Sequence, residues 1–189
     1  CQVAREQVAV HYRLSGTDKV RVIPHGNYIG FYENQVGRME ARQRLGISED
    51  ISLFLYLGHI RSYKGVPDLL QAFHEFSYDN ARLLIAGKIY DASLAQEIRS
   101  LVLQDSRIIP VLEFIPDGDI QLYMNAADVV VLPHRRIVTS GALLLAMSFG
   151  KAVILPRLGC LPEYLGEDGG VFFDPEDANG LEIAMRQAI

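Results

Sequence analysis

Short, nearly continuous apolar blocks punctuate the chain at residues 52–57, 82–86, 108–112, 128–132 and 152–155, with further strand-like runs at 20–24 and 171–173. A strand with one wet face alternates apolar and polar residues, whereas a strand covered on both faces does not. The stretches FLYL, LLIA, VVVL and VILP are of the second kind and predict strands of a parallel sheet buried between helices. Between them the apolar repeat changes to three and four. Residues 66–76 place Leu69, Leu70, Phe73 and Phe76 on one stripe, with Asp68, Gln71 and Glu75 opposite. Residues 92–103 repeat the pattern with Leu94, Ile98, Leu101 and Val102, and residues 119–127 with Ile120, Leu122, Tyr123 and Ala126. A helix at 142–149 is apolar almost all round and is expected to be buried, and a last helix is expected over 177–189. Residues 29–43 are polar, contain glycine and read as a loop leading to a short helix. Strand and helix in alternation predict right-handed crossovers and an α/β fold, a Rossmann-like doubly wound parallel sheet.

Composition narrows the function classes. With 49% apolar and 22% charged residues the chain is an ordinary globular mix, not a disordered one. Lys plus Arg is 18 against 23 Asp plus Glu, so the basic surplus expected of a nucleic-acid binder is absent. No apolar run approaches the roughly 18 residues that a membrane span needs. Two cysteines, Cys1 and Cys160, make no disulfide framework and no zinc-ligand spacing, which favours a reducing compartment and an inert apolar role for Cys160. The five histidines are scattered, and no metal site is expected; a lone His74 on a helix reads as surface or core filling. GxGxxG, GxxxxGK[ST] and GxSxG are all absent, against a dinucleotide oxidoreductase, a P-loop NTPase and an α/β-hydrolase. The chain begins at Cys1 and ends inside an expected helix, so a piece of a longer protein is expected, truncated at both ends.

In an open parallel sheet ligands bind beyond the carboxyl ends of the strands, so the loops there carry the candidate chemistry. Gly58-His59-Ile60-Arg61-Ser62-Tyr63-Lys64-Gly65 leaves one strand and enters a helix. A helix N-terminus offers unpaired N–H groups, and Arg61 and Lys64 add two cations, together a seat for a diphosphate; a solvated turn with surface cations has the same spacing. His134-Arg135-Arg136-Ile137-Val138-Thr139-Ser140-Gly141 precedes the apolar helix. Thr139 or Ser140 would cap it, Gly141 leaves room for a ligand at the backbone, and Arg136 adds charge; a plain helix cap explains the same residues. Glu113-Phe114-Ile115-Pro116 offers extended backbone to the edge of a planar ring, or is a simple connection. Gly159-Cys160-Leu161-Pro162-Glu163 suits either a ligand-facing helix start or only a capped one.

The order of these pieces resembles the C-terminal nucleotide-sugar-binding domain of GT-B glycosyltransferases of family 4 (group 1). The resemblance lies in Val20-Arg21-Val22-Ile23-Pro24-His25-Gly26-Asn27, the loop from Leu57 to Gly65, Leu83-Leu84-Ile85-Ala86-Gly87, the run from Ala126 to Pro133, the run from Ala146 to Ile154, Gly159-Cys160-Leu161-Pro162-Glu163, and the segment from Gly170 to Asp177. It implies that residues 1–15 are a linker or the tail of an N-terminal domain, and that 16–189 form the Rossmann-like donor domain, the C-terminal half of a two-domain enzyme. It further implies retaining transfer of a sugar from a nucleotide diphosphate, held as a substrate with no cofactor, to a glycan or lipid-linked acceptor. The partner is the N-terminal domain of the same chain, no nucleic acid is involved, and the isolated domain would be inactive. The location implied is cytoplasmic, or peripheral to the inner face of a membrane.

By position, Lys64 would bind the diphosphate and Arg61 would supply the charge of the family's arginine, which falls on His59. The backbone of Ser140, Gly141, Ala142 and Leu143 would hold phosphate, and that of Phe114 and Ile115 would meet the base. Gly58, His59, Glu113, Arg136, Thr139 and Glu163 complete the expected donor site. The family's two glutamates, one contacting the donor sugar and the other the ribose, fall on Ile137 and Leu145, so neither carboxylate is present. A divergent enzyme, a catalytically inactive scaffold domain and a GT-B sugar-nucleotide epimerase all fit that departure.

Overall fold

A computed structural model describes residues 1–15, 18–166 and 168–189; residue 16, where the expected donor domain begins, lies outside them. Six strands, β1 (Ser52–Leu57), β2 (Ala81–Ala86), β3 (Ile108–Val111), β4 (Val129–Val131), β5 (Ala152–Pro156) and β6 (Val171–Phe173), form one sheet. Their order is β3-β2-β1-β4-β5-β6 and every pairing is parallel. The order reverses between β1 and β4, the topological switch point of a doubly wound fold.

The eight helices of the described residues are α1 (Gln2–His11), α2 (Arg38–Leu45), α3 (Val66–Glu75), α4 (Ala92–Val102), α5 (Ile120–Ala126), α6 (Gly141–Ser148), α7 (Leu161–Leu165) and α8 (Gly180–Gln187). Residues 53–57 of β1 are all buried, as its unbroken apolar run predicts. Its side chains alternate between two cores. Phe54 and Tyr56 pack with Leu69, Leu70 and Phe73 of α3, Leu94 and Ile98 of α4, and Leu181 and Met185 of α8. Leu53, Leu55 and Leu57 pack with Ala41 of α2, Met124 of α5, Leu143, Leu145 and Ala146 of α6 and Leu161 of α7. Helix α6 buries residues 143–146, but Met147 is 38% exposed, so its apolar surface is not fully covered in this chain.

The lower part of the second core is held by one buried guanidinium. Arg42 of α2 is fully buried and donates to the carbonyls of Ser48, Glu49, Ile51 and Ala126. It also donates to Asp128 Oδ2 at 2.6 Å, and the same oxygen accepts the Leu53 N–H of β1. Lys151 caps the end of α5 by donating to the Asn125 and Ala127 carbonyls.

Two expectations are corrected. Residues 20–24 form no strand; they are mostly exposed and belong to none of the six paired strands of the sheet among the described residues. Cys160 is not a lone apolar residue. Cys1 and Cys160 form a disulfide with Cα atoms 5.7 Å apart, so the argument for a reducing compartment from two unpaired thiols falls. No helix of the described residues is long and apolar enough to cross a membrane.

Candidate donor site

The cavity lies at the switch point, beyond the carboxyl ends of β1 and β2. Its volume is about 520 Å³, and its walls come from the loops after β1, β2 and β3, the start of α6 and the segment before α2. Gly58 (φ +141°) turns the chain out of β1. The Tyr56 hydroxyl donates to the His59 carbonyl at 2.9 Å, which ties the exit to the strand. A single 3₁₀ turn, Ser62–Lys64, follows, and Gly65 (φ +68°) starts α3. A Cβ on Gly65 would stand 1.8 Å from the Pro133 carbonyl oxygen, so the loop after β4 packs directly on this turn and only glycine fits.

Three cations line the cavity: Arg61, Lys64 and Lys88. Burial pulls the Lys64 ammonium below the ordinary lysine range. Arg61 and Lys88 each lie 5.3 Å from the Tyr90 ring centroid, and the His59 ring meets Tyr90 edge-on at 5.3 Å. Opposite them is the start of α6. Ser140 caps it, accepting the Leu143 N–H at 3.3 Å. The N–H groups of Gly141 and Ala142 come one turn too early for an intrahelical acceptor, and both residues face the cavity. Lys64 and the N-terminus of α6 therefore border one space.

His134, 1% exposed, lies outside this lining and borders a second cavity together with Asp68, Pro133 and Arg135. Its Nε2 is 3.3 Å from Ser140 Oγ. Burial, then the Lys64 charge, push its pKa down to about 4, so it is neutral at pH 7. The unfolded chain takes up this proton near pH 6.5 and the folded chain only near pH 4. Stability is therefore expected to fall by about 3 kcal/mol as the pH drops through that window. Urea unfolding at pH 7 and pH 4.5 measures it, and His134→Gln should flatten the slope.

Of the residues expected from sequence, Gly58, His59, Arg61, Lys64, Phe114, Ile115, Gly141 and Ala142 line the cavity. Six do not. Ser140 and Leu143 are buried beneath the helix start, serving as cap and capped N–H. Glu113, Arg136 and Thr139 are exposed outside the lining. Glu163 is engaged elsewhere: its carboxylate accepts the Gln2 and Val3 N–H groups at 2.8 and 2.9 Å and so caps α1. Sequence reading missed Tyr28, Tyr32, Tyr63, Lys88 and Asp117 as wall residues. Lys88 was legible, since it follows Gly87 at the carboxyl end of a parallel strand. Tyr28 was not, because it is placed by a long-range bond from its N–H to Ser148 Oγ at 2.9 Å. Leu145 presents an apolar side chain to the cavity, and Ile137 packs against the second core. No three His, Cys, Asp or Glu side chains of the described residues come together as a metal site.

The family "Glycosyl transferases group 1" matches residues 37–189. The chain is 28% identical over 149 residues to the GDP-mannose:glycolipid 4-beta-D-mannosyltransferase of Xanthomonas campestris pv. campestris, covering 76% of this chain and 40% of the relative. The sucrose-phosphate synthase of Thermosynechococcus elongatus superposes with a TM-score of 0.79 at 25% identity, over 97% of this chain and 47% of that one. Anabaena HepE, solved in complex with UDP and glucose, superposes with a TM-score of 0.76 at 21% identity, over 96% of this chain and 50% of that one. The chain thus spans about half, or less, of the length of these proteins. With its doubly wound sheet and switch-point cavity, it belongs to the group 1 glycosyltransferases and has the Rossmann-like fold of their GT-B C-terminal domain.

Proposed function

We propose that this chain is the donor-binding half of a glycosyltransferase that takes a nucleotide-diphosphate sugar and, with an N-terminal domain of the same protein, transfers the sugar to a glycan or lipid-linked acceptor. The observation that carries this reading is the convergence of Arg61, Lys64 and the free N–H groups of Gly141 and Ala142 on one cavity. A diphosphate leaving water needs both cations and N–H donors, because its oxygens otherwise lose their hydration uncompensated. The similarity to the Xanthomonas GDP-mannose:glycolipid mannosyltransferase and to HepE, solved with UDP and glucose, supports a nucleotide-linked donor.

The chemistry follows from the charges. When the bond between the anomeric carbon and the β-phosphate oxygen breaks, the bonding pair stays on that oxygen. Lys64 and the helix N–H groups are in place before the charge appears, so they stabilise the departing diphosphate without reorganising. Phe114 and Ile115 would supply the wall for the base, and Tyr28, Tyr32 and Tyr63 line the same cavity. Retention of anomeric configuration belongs to this reading through the family resemblance; proton NMR of the product anomer tests it, and an inverted product removes it.

A direct test is thermal unfolding of the full-length protein with millimolar UDP, GDP, ADP and CDP. The matching diphosphate at about 100 times its Kd adds about 2.7 kcal/mol and raises the Tm. No rise with any of the four contradicts the reading.

A further inference from the structure

The residues around His134 are stitched to the loop after β1 at several points. The Arg135 N–H donates to the Tyr63 carbonyl at 3.0 Å, and the Arg135 guanidinium makes two 2.5 Å bonds to Asp68 in the first turn of α3. Gly65 packs under the Pro133 carbonyl. Between these contacts, a polar ring is buried where an apolar side chain would fill the space without desolvating a nitrogen.

The hydrogen-bond pattern assigns its proton. Ser140 Oγ accepts from the Leu143 N–H, so its own O–H is free to donate to His134 Nε2. Nε2 is then the acceptor, and the proton sits on Nδ1. Nδ1 has no hydrogen-bond partner among the described residues, so the tie from His134 to the loop after β1 runs through its chain neighbours, the Arg135 N–H on the Tyr63 carbonyl and the Pro133 carbonyl over Gly65. The segment 133–135, held to the turn that carries Lys64 by its flanking residues, thereby reaches the cap of α6 through the His134 ring.

We propose that His134 is a positioning residue: it couples the Lys64 turn to the Ser140 cap, so that Lys64 and the Gly141 and Ala142 N–H groups face one diphosphate in a fixed geometry. This rests on the donor-site reading. Losing the coupling leaves both elements folded but out of register, and the cost appears in diphosphate affinity.

The test is calorimetric titration of the full-length wild-type, His134→Gln and His134→Leu proteins with GDP, UDP, ADP and CDP, with Tm recorded for each. Gln can still accept from Ser140, whereas Leu cannot. His134→Gln is expected to bind within about threefold of wild type. His134→Leu is expected to bind about tenfold or more weakly, whatever its Tm. Amide signals of Gly141 and Ala142 should shift with nucleotide in the Gln variant and barely move in the Leu variant. Ser140→Ala breaks the same relay from the other side and serves if His134→Leu does not fold; it too should bind about tenfold more weakly. Affinity unchanged in His134→Leu or in Ser140→Ala, or equally weak in His134→Gln and His134→Leu, overturns the proposal. Wild-type protein that binds none of the four nucleotides overturns the donor-site reading instead, and this inference with it.

Discussion

Alanine at position 64 is expected to slow sugar transfer by about 10²–10³, the effect of removing one preorganised donor from a developing oxyanion. Lys64 has no salt-bridge partner among the described residues, and burial disfavours its charge. Removing it therefore costs the fold little, under about 1 kcal/mol. The loss belongs to diphosphate binding and the chemical step. The sign of the pH dependence follows as well. A lysine with a lowered pKa loses its proton at a less alkaline pH than a free one, so donor affinity should fall off on the alkaline side before the ordinary lysine range. A bound diphosphate favours the charged form and moves that fall back upward. Steady-state kinetics of the wild-type and Lys64→Ala proteins, alongside their urea midpoints, separate the two effects. An inactive variant that has also lost several kcal/mol of stability would return Lys64 to a structural role.

Replacing Arg42 by alanine should have the opposite profile: a large loss of stability at a position remote from the cavity. The fully buried guanidinium satisfies four carbonyls and one carboxylate across α2, α5 and the start of β1. Its removal leaves Asp128 with its pairing cut back to Arg38, which reaches Oδ1 at 2.9 Å from the exposed side. The expected cost is about 3–5 kcal/mol, or a fall of roughly 6–20 °C in Tm. Lysine should not rescue it, because a single ammonium cannot reproduce the planar fork that serves several carbonyls at once. Thermal and urea unfolding of Arg42→Ala and Arg42→Lys measure this, and a loss under about 1 kcal/mol would show that the carbonyls find water instead.

The sheet was legible because strands covered on both faces must be apolar throughout, and β1, β2, β4 and β5 are written that way. Residues 20–24 carry a similar apolar bias and still form no strand, since a strand needs an edge to pair with and pattern alone does not reveal one. The loops after β1, β3 and β4 were legible as site elements because a parallel sheet fixes which ends of its strands can hold a ligand. Which side chains in those loops face the cavity was less so. Thr139 and Arg136 share a loop with Gly141 but point to solvent, and Glu163 is drawn to the N–H groups of a helix some 160 residues away in sequence. Long-range placements such as Tyr28 against Ser148, or Cys1 against Cys160, depend on tertiary closure and leave no local signal.

The convergence of two anion-holding elements is tested most directly by a crystal structure of the protein with the nucleoside diphosphate that raises its Tm most. The expected result is a diphosphate with oxygens about 3 Å from Lys64 Nζ and from the Gly141 and Ala142 N–H groups at the same time. A nucleotide bound elsewhere, or a diphosphate that touches only one of the two, would contradict it.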